Sequence, residues 1–155
     1  MKVCHLSSVH GRNDPRIRLK ECASLARAGH EVILLVADGL GDEEAGGLRI
    51  VDAGRRPSGR RKRFLFSARR MLEAARAIEA ELYHFHDPEL IPAGLALRRA
   101  GKLVVYDAHE DLPRQLLSKP YLSKAKGRLL SIGAEMVEDY AARRLSAVVA
   151  ATATI

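Results

Sequence analysis

Two apolar segments of the chain end in histidines and carboxylates. Residues 82–89 read LYHFHDPE and residues 103–111 read LVVYDAHED. Each segment indicates a buried strand, and parallel α/β sheets bind their ligands at the carboxyl ends of the strands. An imidazole can donate or accept a proton near neutral pH, and a neighbouring carboxylate can orient it. The sequence therefore predicts a ligand-binding edge equipped for acid–base chemistry.

The second segment ends in three consecutive ionisable residues, His109, Glu110 and Asp111. Three such side chains fill a core poorly, because burying a charge without a partner is costly. A histidine beside a carboxylate is suited to a sugar hydroxyl or to a developing charge. A solvated loop is the alternative interpretation.

The first segment places His84 and His86 two residues apart on a strand, so both point to the same face. Such a pair binds metal in some hydrolases, and the further candidate ligands are Asp87, Asp107, His109, Glu110 and Asp111. No stretch has the spacing H-E-x-x-H or a cysteine pair, however. We therefore favour a core position for His84 under a helix, with His86 nearer the ligand surface. Asp87 can also cap the helix that Pro88 opens.

The loop after the first strand covers residues 7–14 (SSVHGRND) and leads into a helix. Backbone amides at a helix start attract phosphate or carboxylate. The loop has neither G-x-G-x-x-G nor a Walker sequence, which leaves a dinucleotide or P-loop interpretation without its main support. Gly11 either serves a ligand or permits an ordinary turn.

Residues 55–63 (RRPSGRRKR) form the densest cationic run and precede an amphipathic helix. A solvated helix end is one interpretation, and contact of Arg60, Arg61, Lys62 and Arg63 with an anionic membrane surface is the other. Nucleic acid is not expected as a partner, because few aromatic residues lie between the charges and no nucleic-acid module is recognisable.

The composition is that of one globular domain. The chain has 155 residues, 47% of them hydrophobic and 29% charged, and its net charge of +7 favours acidic partners. Cys4 and Cys22 each fall in an apolar pattern, which favours buried free thiols and a reducing cytoplasm over a disulfide. The amino terminus lacks the apolar core of a signal peptide, and no stretch approaches the roughly 20 apolar residues of a membrane span.

The elements alternate between strand and helix periodicity, which predicts a doubly wound, Rossmann-like α/β fold with a parallel sheet and helices on both faces. Strands are expected over residues 2–7, 31–37, 48–53, 82–86, 102–106 and 147–151, and residues 38–47 are expected to form a loop. Asn13 or Asp14 is expected to cap the first helix, and Ser123 a helix with Leu129, Gly133, Met136, Val137, Tyr140 and Ala141 along one side. Because the chain stops after a strand, we expect it to be one piece of a longer protein.

The ordered set of motifs resembles the amino-terminal domain of family 4 glycosyltransferases of the GT-B type. Residues 14–17 (DPRI) with Lys20, Leu25 and residues 28–32 (AGHEV) resemble the opening of that domain. Residues 84–90 (HFHDPEL), 106–111 (YDAHED) and 119–121 (KPY) follow in the same order and spacing. The resemblance extends over essentially the whole chain.

The resemblance implies a retaining, metal-independent transfer of a sugar from a nucleotide-sugar donor to a glycan or lipid-linked acceptor, as in polysaccharide or lipopolysaccharide synthesis. The cleft would be completed by a carboxy-terminal nucleotide-sugar domain absent from this chain, and the isolated fragment should be inactive. His109 and Glu110 would be catalytic, and Gly11, Arg12, His86, Asp87 and Asp111 would bind donor or acceptor. Many relatives carry Gly-Gly where this chain has Gly11-Arg12. The protein would be cytoplasmic, with contact to the inner face of the membrane.

Two other classes of function stay open from the residues themselves. One is a metal-dependent hydrolase built on His84 and His86. The other is a non-catalytic module that binds anions or nucleotides.

Overall fold

A computed structural model describes residues 1–55, 60–108, 112–119 and 123–150, with the backbone alone for residues 60–67. His109, Glu110 and Asp111 lie outside the described residues, as do residues 56–59 of the cationic run and residues 120–122 and 151–155. The strands are β1 (Lys2–Ser7), β2 (Glu31–Val36), β3 (Glu43–Ala45), β4 (Leu48–Asp52), β5 (Leu82–Phe85), β6 (Leu103–Ala108) and β7 (Ala147–Ala150). The α-helices are α1 (Ala23–Arg27), α2 (Arg60–Ile78), α3 (Ile91–Arg99), α4 (Leu112–Leu117) and α5 (Lys124–Ala142).

The strands form one sheet in the order β3-β4-β2-β1-β5-β6-β7. Every neighbouring pair is parallel except β3 with β4. The order reverses at β1, as in doubly wound sheets, so the loops after β1 and β5 diverge from the switch point where such folds bind ligands. The predicted fold class is confirmed.

Apolar residues cover the two faces of the sheet in separate clusters. On one face, Met71 of α2, Leu97 of α3 and Ala141 of α5 pack with even-numbered residues of β1 such as Leu6. On the other face, Ile17 and Cys22 pack with even-numbered residues of β2 and β4. Helices on both faces explain why β2 is a continuous apolar run. Cys4 and Cys22 are buried and free, as expected.

The first helix starts with a π-helical segment over Pro15–Cys22 and continues as α1. Asp14 accepts hydrogen bonds from the amides of Arg16 and Ile17, with Pro15 in the first helical turn. This arrangement confirms the predicted cap at Asp14. Ser123 likewise accepts from the amide of Lys126 at the start of α5.

Residues 38–47 are not wholly a loop, and this prediction was wrong. Glu43–Ala45 forms the edge strand β3, which pairs antiparallel with β4. Gly46 and Gly47 connect the two strands with φ of 61° and 75°. A two-residue turn with two positive φ angles favours glycine and matches the twist of a hairpin. The acidic strand was missed because Glu-Glu-Ala has low strand propensity.

The apolar side of α5 is largely exposed. Ala141 is buried, but Leu129, Met136, Val137 and Tyr140 are exposed. Helical periodicity predicts an apolar stripe but not what covers it, so the expected stripe exists, and most of it is exposed in this chain. Within the described ranges, no helix combines the length and apolar character needed to cross a membrane.

Candidate functional site

Three histidines meet on one face of the sheet, just below its carboxyl edge. The parallel register of β1 and β5 places His5 opposite His84. The ring centroids of His84 and His86 are 4.8 Å apart, which confirms that the two share a face. The ring of His5 lies 4.8 Å from His84 and 5.3 Å from His86. We call His5, His84 and His86 the histidine cluster.

His86 is the most constrained member of the histidine cluster. Its Nε2 lies 3.0 Å from His5 Nδ1, and its Nδ1 lies 3.4 Å from a carboxylate oxygen of Asp107. His86 is 1% exposed, whereas His84 is half-buried. The expectation that His86 lies nearer the surface than His84 was therefore wrong. The residue after His86 is Asp87, and its side chain is directed at the loop after β1.

Burial determines the charge state of His5. The pKa of His5 lies well below its usual value because burial disfavours the imidazolium, and the neighbouring His84 and His86 add to this effect. His5 is therefore neutral at pH 7. A neutral imidazole offers one lone pair to a donor or to a metal.

Three charged side chains surround the histidine cluster. The π-helical winding aligns residues five apart, so Arg16 Nε donates to Glu21 Oε1 at 3.0 Å. Arg16 Nη2 also lies 2.8 Å from both carboxylate oxygens of Asp107. Glu21 Oε2 lies 3.7 Å from His5 Nδ1 and 3.7 Å from His86 Nε2. Burial raises the pKa of Glu21 above its ordinary value.

Asp87 ties the loop after β1 to the end of β5. Its Oδ2 accepts from Ser7 Oγ at 3.0 Å, Ser8 N at 2.6 Å, Ser8 Oγ at 3.3 Å and Val9 N at 3.1 Å. Its side chain makes no hydrogen bond to the helical turn that begins at Pro88, so the predicted cap was wrong. The loop amides outcompete the helix start for this carboxylate. His10 Nε2 lies 3.6 Å from Asp87 Oδ1 and is about a third exposed.

Gly11 and Arg12 follow in the same loop but occupy different environments. Gly11 is exposed, and a Cβ atom there would meet nothing within 4 Å. The Arg12 guanidinium donates to Asp38 at 2.8 Å and to Glu43 at 2.9 Å, with the Arg12 side chain 7% exposed. Arg12 therefore fastens the loop to the β3 edge of the sheet. A ligand contact of Arg12 stays a prediction.

We expect Arg12→Ala to lower the free energy of unfolding at pH 7 by about 2 kcal/mol. This is less than the loss of a fully buried ion pair, because both carboxylates that Arg12 contacts are partly exposed to solvent. Hydrogen bonding from Arg12 lowers the pKa of Asp38. A lowered carboxyl pKa contributes stability above the unfolded value of about 3.9, and the contribution is lost as the pH falls through the folded value.

Urea unfolding at pH 7, 5 and 3 checks this prediction. The difference between wild type and Arg12→Ala should be full at pH 7 and shrink below about pH 4. Arg69→Ala is the control, because Arg69 is 84% exposed and pairs only along α2 with Glu73 among the described contacts. A difference that is constant across the three pH values would contradict the ion-pair explanation.

Several site residues were not found from the sequence. The structure adds His5, Ser7, Ser8, Arg16 and Glu21 to the edge. A signal for His5 and Ser7 exists, because they are polar residues at alternate positions of an apolar strand and so share a face. Glu21 carries no such signal, since an α-helical period does not align it with Arg16.

The described part of the site can bind and orient polar ligands. It offers the partly exposed imidazole of His10 and an open loop at Gly11, held in place by Asp87. The candidate catalytic residues His109 and Glu110 follow β6 in the sequence, outside the described residues. Arg60, Arg61, Lys62 and Arg63 form the start of α2, for which the backbone alone is described.

Solved structures share this fold. A sucrose-phosphate synthase from Thermosynechococcus elongatus superposes with a TM-score of 0.68 at 16% identity, over 95% of this chain and 41% of that one. The glycotransferase of kitacinnamycin superposes with a TM-score of 0.50 at 18% identity, over 88% of this chain and 40% of that one. The chain therefore spans less than half the length of either protein. A search of curated proteins gave no match.

The sequence also matches a family model. The match is to Glycosyltransferase Family 4 and covers residues 19–155, most of the chain. It includes the two strand ends, β5 and β6, that carry the predicted site residues. The doubly wound sheet agrees with this assignment, and the chain belongs to glycosyltransferase family 4.

Proposed function

We propose that this chain is the amino-terminal domain of a retaining glycosyltransferase that moves a hexose from a nucleotide sugar to a glycan or lipid-linked acceptor. The observation that carries the proposal is the clamp at Asp87, which fixes the loop after β1 at the carboxyl edge of the sheet. The loop then presents Gly11 to open space, where a ligand can approach its backbone closely. Family membership supports the transferase class.

Each site residue has a role in this proposal. Gly11 allows the donor phosphates to approach the backbone, and Asp87 holds that loop in place. Arg12 contributes indirectly by fastening the loop to Asp38. His86 lies beneath the carboxyl edge of the sheet and contacts Asp107 on the neighbouring strand. The roles of the remaining residues rest on the resemblance of the motifs: His109 and Glu110 act at the reacting centre, and Asp111 binds acceptor or donor.

The proposal places the nucleotide pocket in a second domain of the full-length protein. The chain covers 41% of the synthase that it superposes on, which supports a partner domain of comparable size. The cleft between the two domains would hold donor and acceptor. On its own, the chain should bind donor weakly and should not turn over. No metal takes part in the transfer step of this proposal.

A donor screen on the full-length protein tests the proposed function. UDP, GDP, ADP and dTDP sugars are offered with candidate glycan and lipid-linked acceptors, and the product is examined by NMR. We expect transfer from one nucleotide-sugar class, with the anomeric configuration of the donor kept and with activity unaffected by a chelator. Inversion would contradict the retaining mechanism, and hydrolysis that requires a metal would contradict the transferase.

We also propose that the protein works in the cytoplasm at the inner face of the membrane. The cationic run meets the start of α2 at Arg60–Arg63, and each basic residue near an anionic leaflet contributes about 1 kcal/mol of binding. Co-sedimentation with vesicles should rise with anionic lipid content. Binding that is indifferent to that content would remove the membrane contact from the proposal.

A further inference from the structure

The histidine cluster and Glu21 present nitrogen and oxygen atoms to one another at short range. His5, His84, His86 and Glu21 each offer one such atom, and these atoms all lie within 4.8 Å of one another. They come from three separate elements, β1, β5 and the π-helical segment. The arrangement is thus a product of the fold and not of one local motif.

Three of these atoms already approach the geometry of a metal site. His5 Nδ1, His86 Nε2 and Glu21 Oε2 form a triangle with sides of 3.0, 3.7 and 3.7 Å. Ligands of tetrahedral zinc lie roughly 3.3 Å apart, given bond lengths of about 2.0–2.1 Å. The triangle therefore matches one face of such a tetrahedron, with the His84 ring stacked on His86 and tilted against His5 at centroid distances of 4.8 Å.

A buried carboxylate oxygen without a partner points to a missing ligand at the same place. Among the described residues, Glu21 Oε2, which is a corner of the triangle, has no hydrogen-bond partner, and neither has His5 Nε2, the ring nitrogen outside the triangle. Leaving such groups unsatisfied is costly, so each one calls for an explanation. Glu21 Oε2 is directed at two imidazoles that are too distant for hydrogen bonds and suitably placed for a shared cation.

The surroundings have the features of a metal site's outer shell. Asp107 lies 3.4 Å from His86 Nδ1, the nitrogen that faces away from the other ligands. A carboxylate on the distal nitrogen of a ligating histidine fixes its tautomer and orientation. The Arg16 guanidinium would repel a cation. The two carboxylates of Asp107 and Glu21 exceed it, so these three side chains together carry a net charge of −1. Glu21 and His84 are half-buried and provide a way in from solvent.

We propose that the histidine cluster and Glu21 bind a zinc ion that joins the π-helical segment to β1 and β5. Neutral imidazoles with one carboxylate are ligands that suit zinc. The ion would be structural, behind the ligand edge, and takes no part in the proposed transfer step. This inference does not depend on the proposed function, and it differs from the expectation of a metal-free chain because the sequence did not reveal His5 and Glu21 as neighbours of His84 and His86.

The experiment uses the 155-residue chain, made without a polyhistidine tag, stripped with a chelator and dialysed against zinc. We expect about one zinc per chain by elemental analysis and a higher Tm than that of the stripped chain. Glu21→Gln and His84→Gln, both at half-buried positions, should each weaken zinc binding at least tenfold. The matched controls are Glu44→Gln on the edge strand and His30→Gln at the opposite end of the sheet, and both should bind like wild type.

Imidazole nitrogen NMR assigns the ligands without relying on activity. Zinc should shift the ring nitrogens of His5, His84 and His86 and leave those of His10 and His30 unchanged. The proposal is overturned if the stripped chain takes up no zinc, or if Glu21→Gln and His84→Gln both bind it as wild type does. It is also overturned if zinc binds while the three cluster rings do not shift.

Discussion

Asp87→Ala should lower the free energy of unfolding by about 3–4 kcal/mol, in the range for breaking a buried charged network. The side chain is 3% exposed, and its Oδ2 accepts four hydrogen bonds from Ser7, Ser8 and Val9. Truncation leaves the amides of Ser8 and Val9 without their acceptor, and for the buried Ser8 the unsatisfied donor carries the full cost of desolvation. Thermal unfolding should shift down by about 10 °C for a chain of this size.

Asp87→Asn separates shape from charge in this experiment. The amide keeps one oxygen acceptor but loses the negative charge, so about half of the destabilisation is expected. Glu44→Ala serves as the control, because Glu44 is exposed on β3, and its effect should stay within about 0.5 kcal/mol. Both are measured by urea unfolding with circular dichroism. An Asp87→Ala loss no larger than that of Glu44→Ala would show that the carboxylate does not hold the loop.

In the full-length protein, His109→Ala should lower kcat by about 10²–10⁴-fold, the usual contribution of a positioned acid–base group. The expectation rests on the resemblance of residues 106–111 to the family motif and on the position of His109 in the sequence, directly after the last residue of β6. The loss should fall on kcat with the KM for the donor changed little, if the imidazole acts on the reacting centre.

His30→Ala is the matched control for this loss of activity. His30 directly precedes β2, at the amino edge of the sheet, and should leave turnover at the wild-type level. Thermal unfolding of both variants checks that the fold persists. An His109→Ala protein that turns over within tenfold of wild type would remove His109 from the reacting centre.

The fold was largely predictable because its signals are local and repeated. Apolar runs such as residues 31–36, the cap at Asp14 and the stops at Gly29 and Gly101 fix where elements begin and end. The edge strand β3 was not predictable from propensity, since its residues are acidic and its pairing depends on the Gly46-Gly47 turn. Exposure of the apolar side of α5 depends on what surrounds the helix, which periodicity does not report.

The candidate site was predictable only in part, because side-chain contacts across the sheet depend on strand order. His84 and His86 share a strand, so their common face follows from the period of two residues. His5 joins them only when β1 lies beside β5 in a particular register. Glu21 joins through a π-helical turn, which the sequence pattern does not signal. The sequence predicted Asp87 as a helix cap, whereas in the structure its carboxylate accepts from the amides of the loop after β1.

The central claim is that the loop after β1 contacts the nucleotide-sugar donor, and variants of Gly11 in the full-length protein test it most directly. A Cβ atom at Gly11 meets nothing within 4 Å and the backbone there is not left-handed, so Gly11→Ala and Gly11→Leu should leave stability nearly unchanged. The measurement is the KM for the donor against that for the acceptor. We predict that the donor KM rises in proportion to side-chain size, at least tenfold for Gly11→Leu, with the acceptor KM unaffected. A Gly11→Leu protein that uses donor as wild type does would contradict the account.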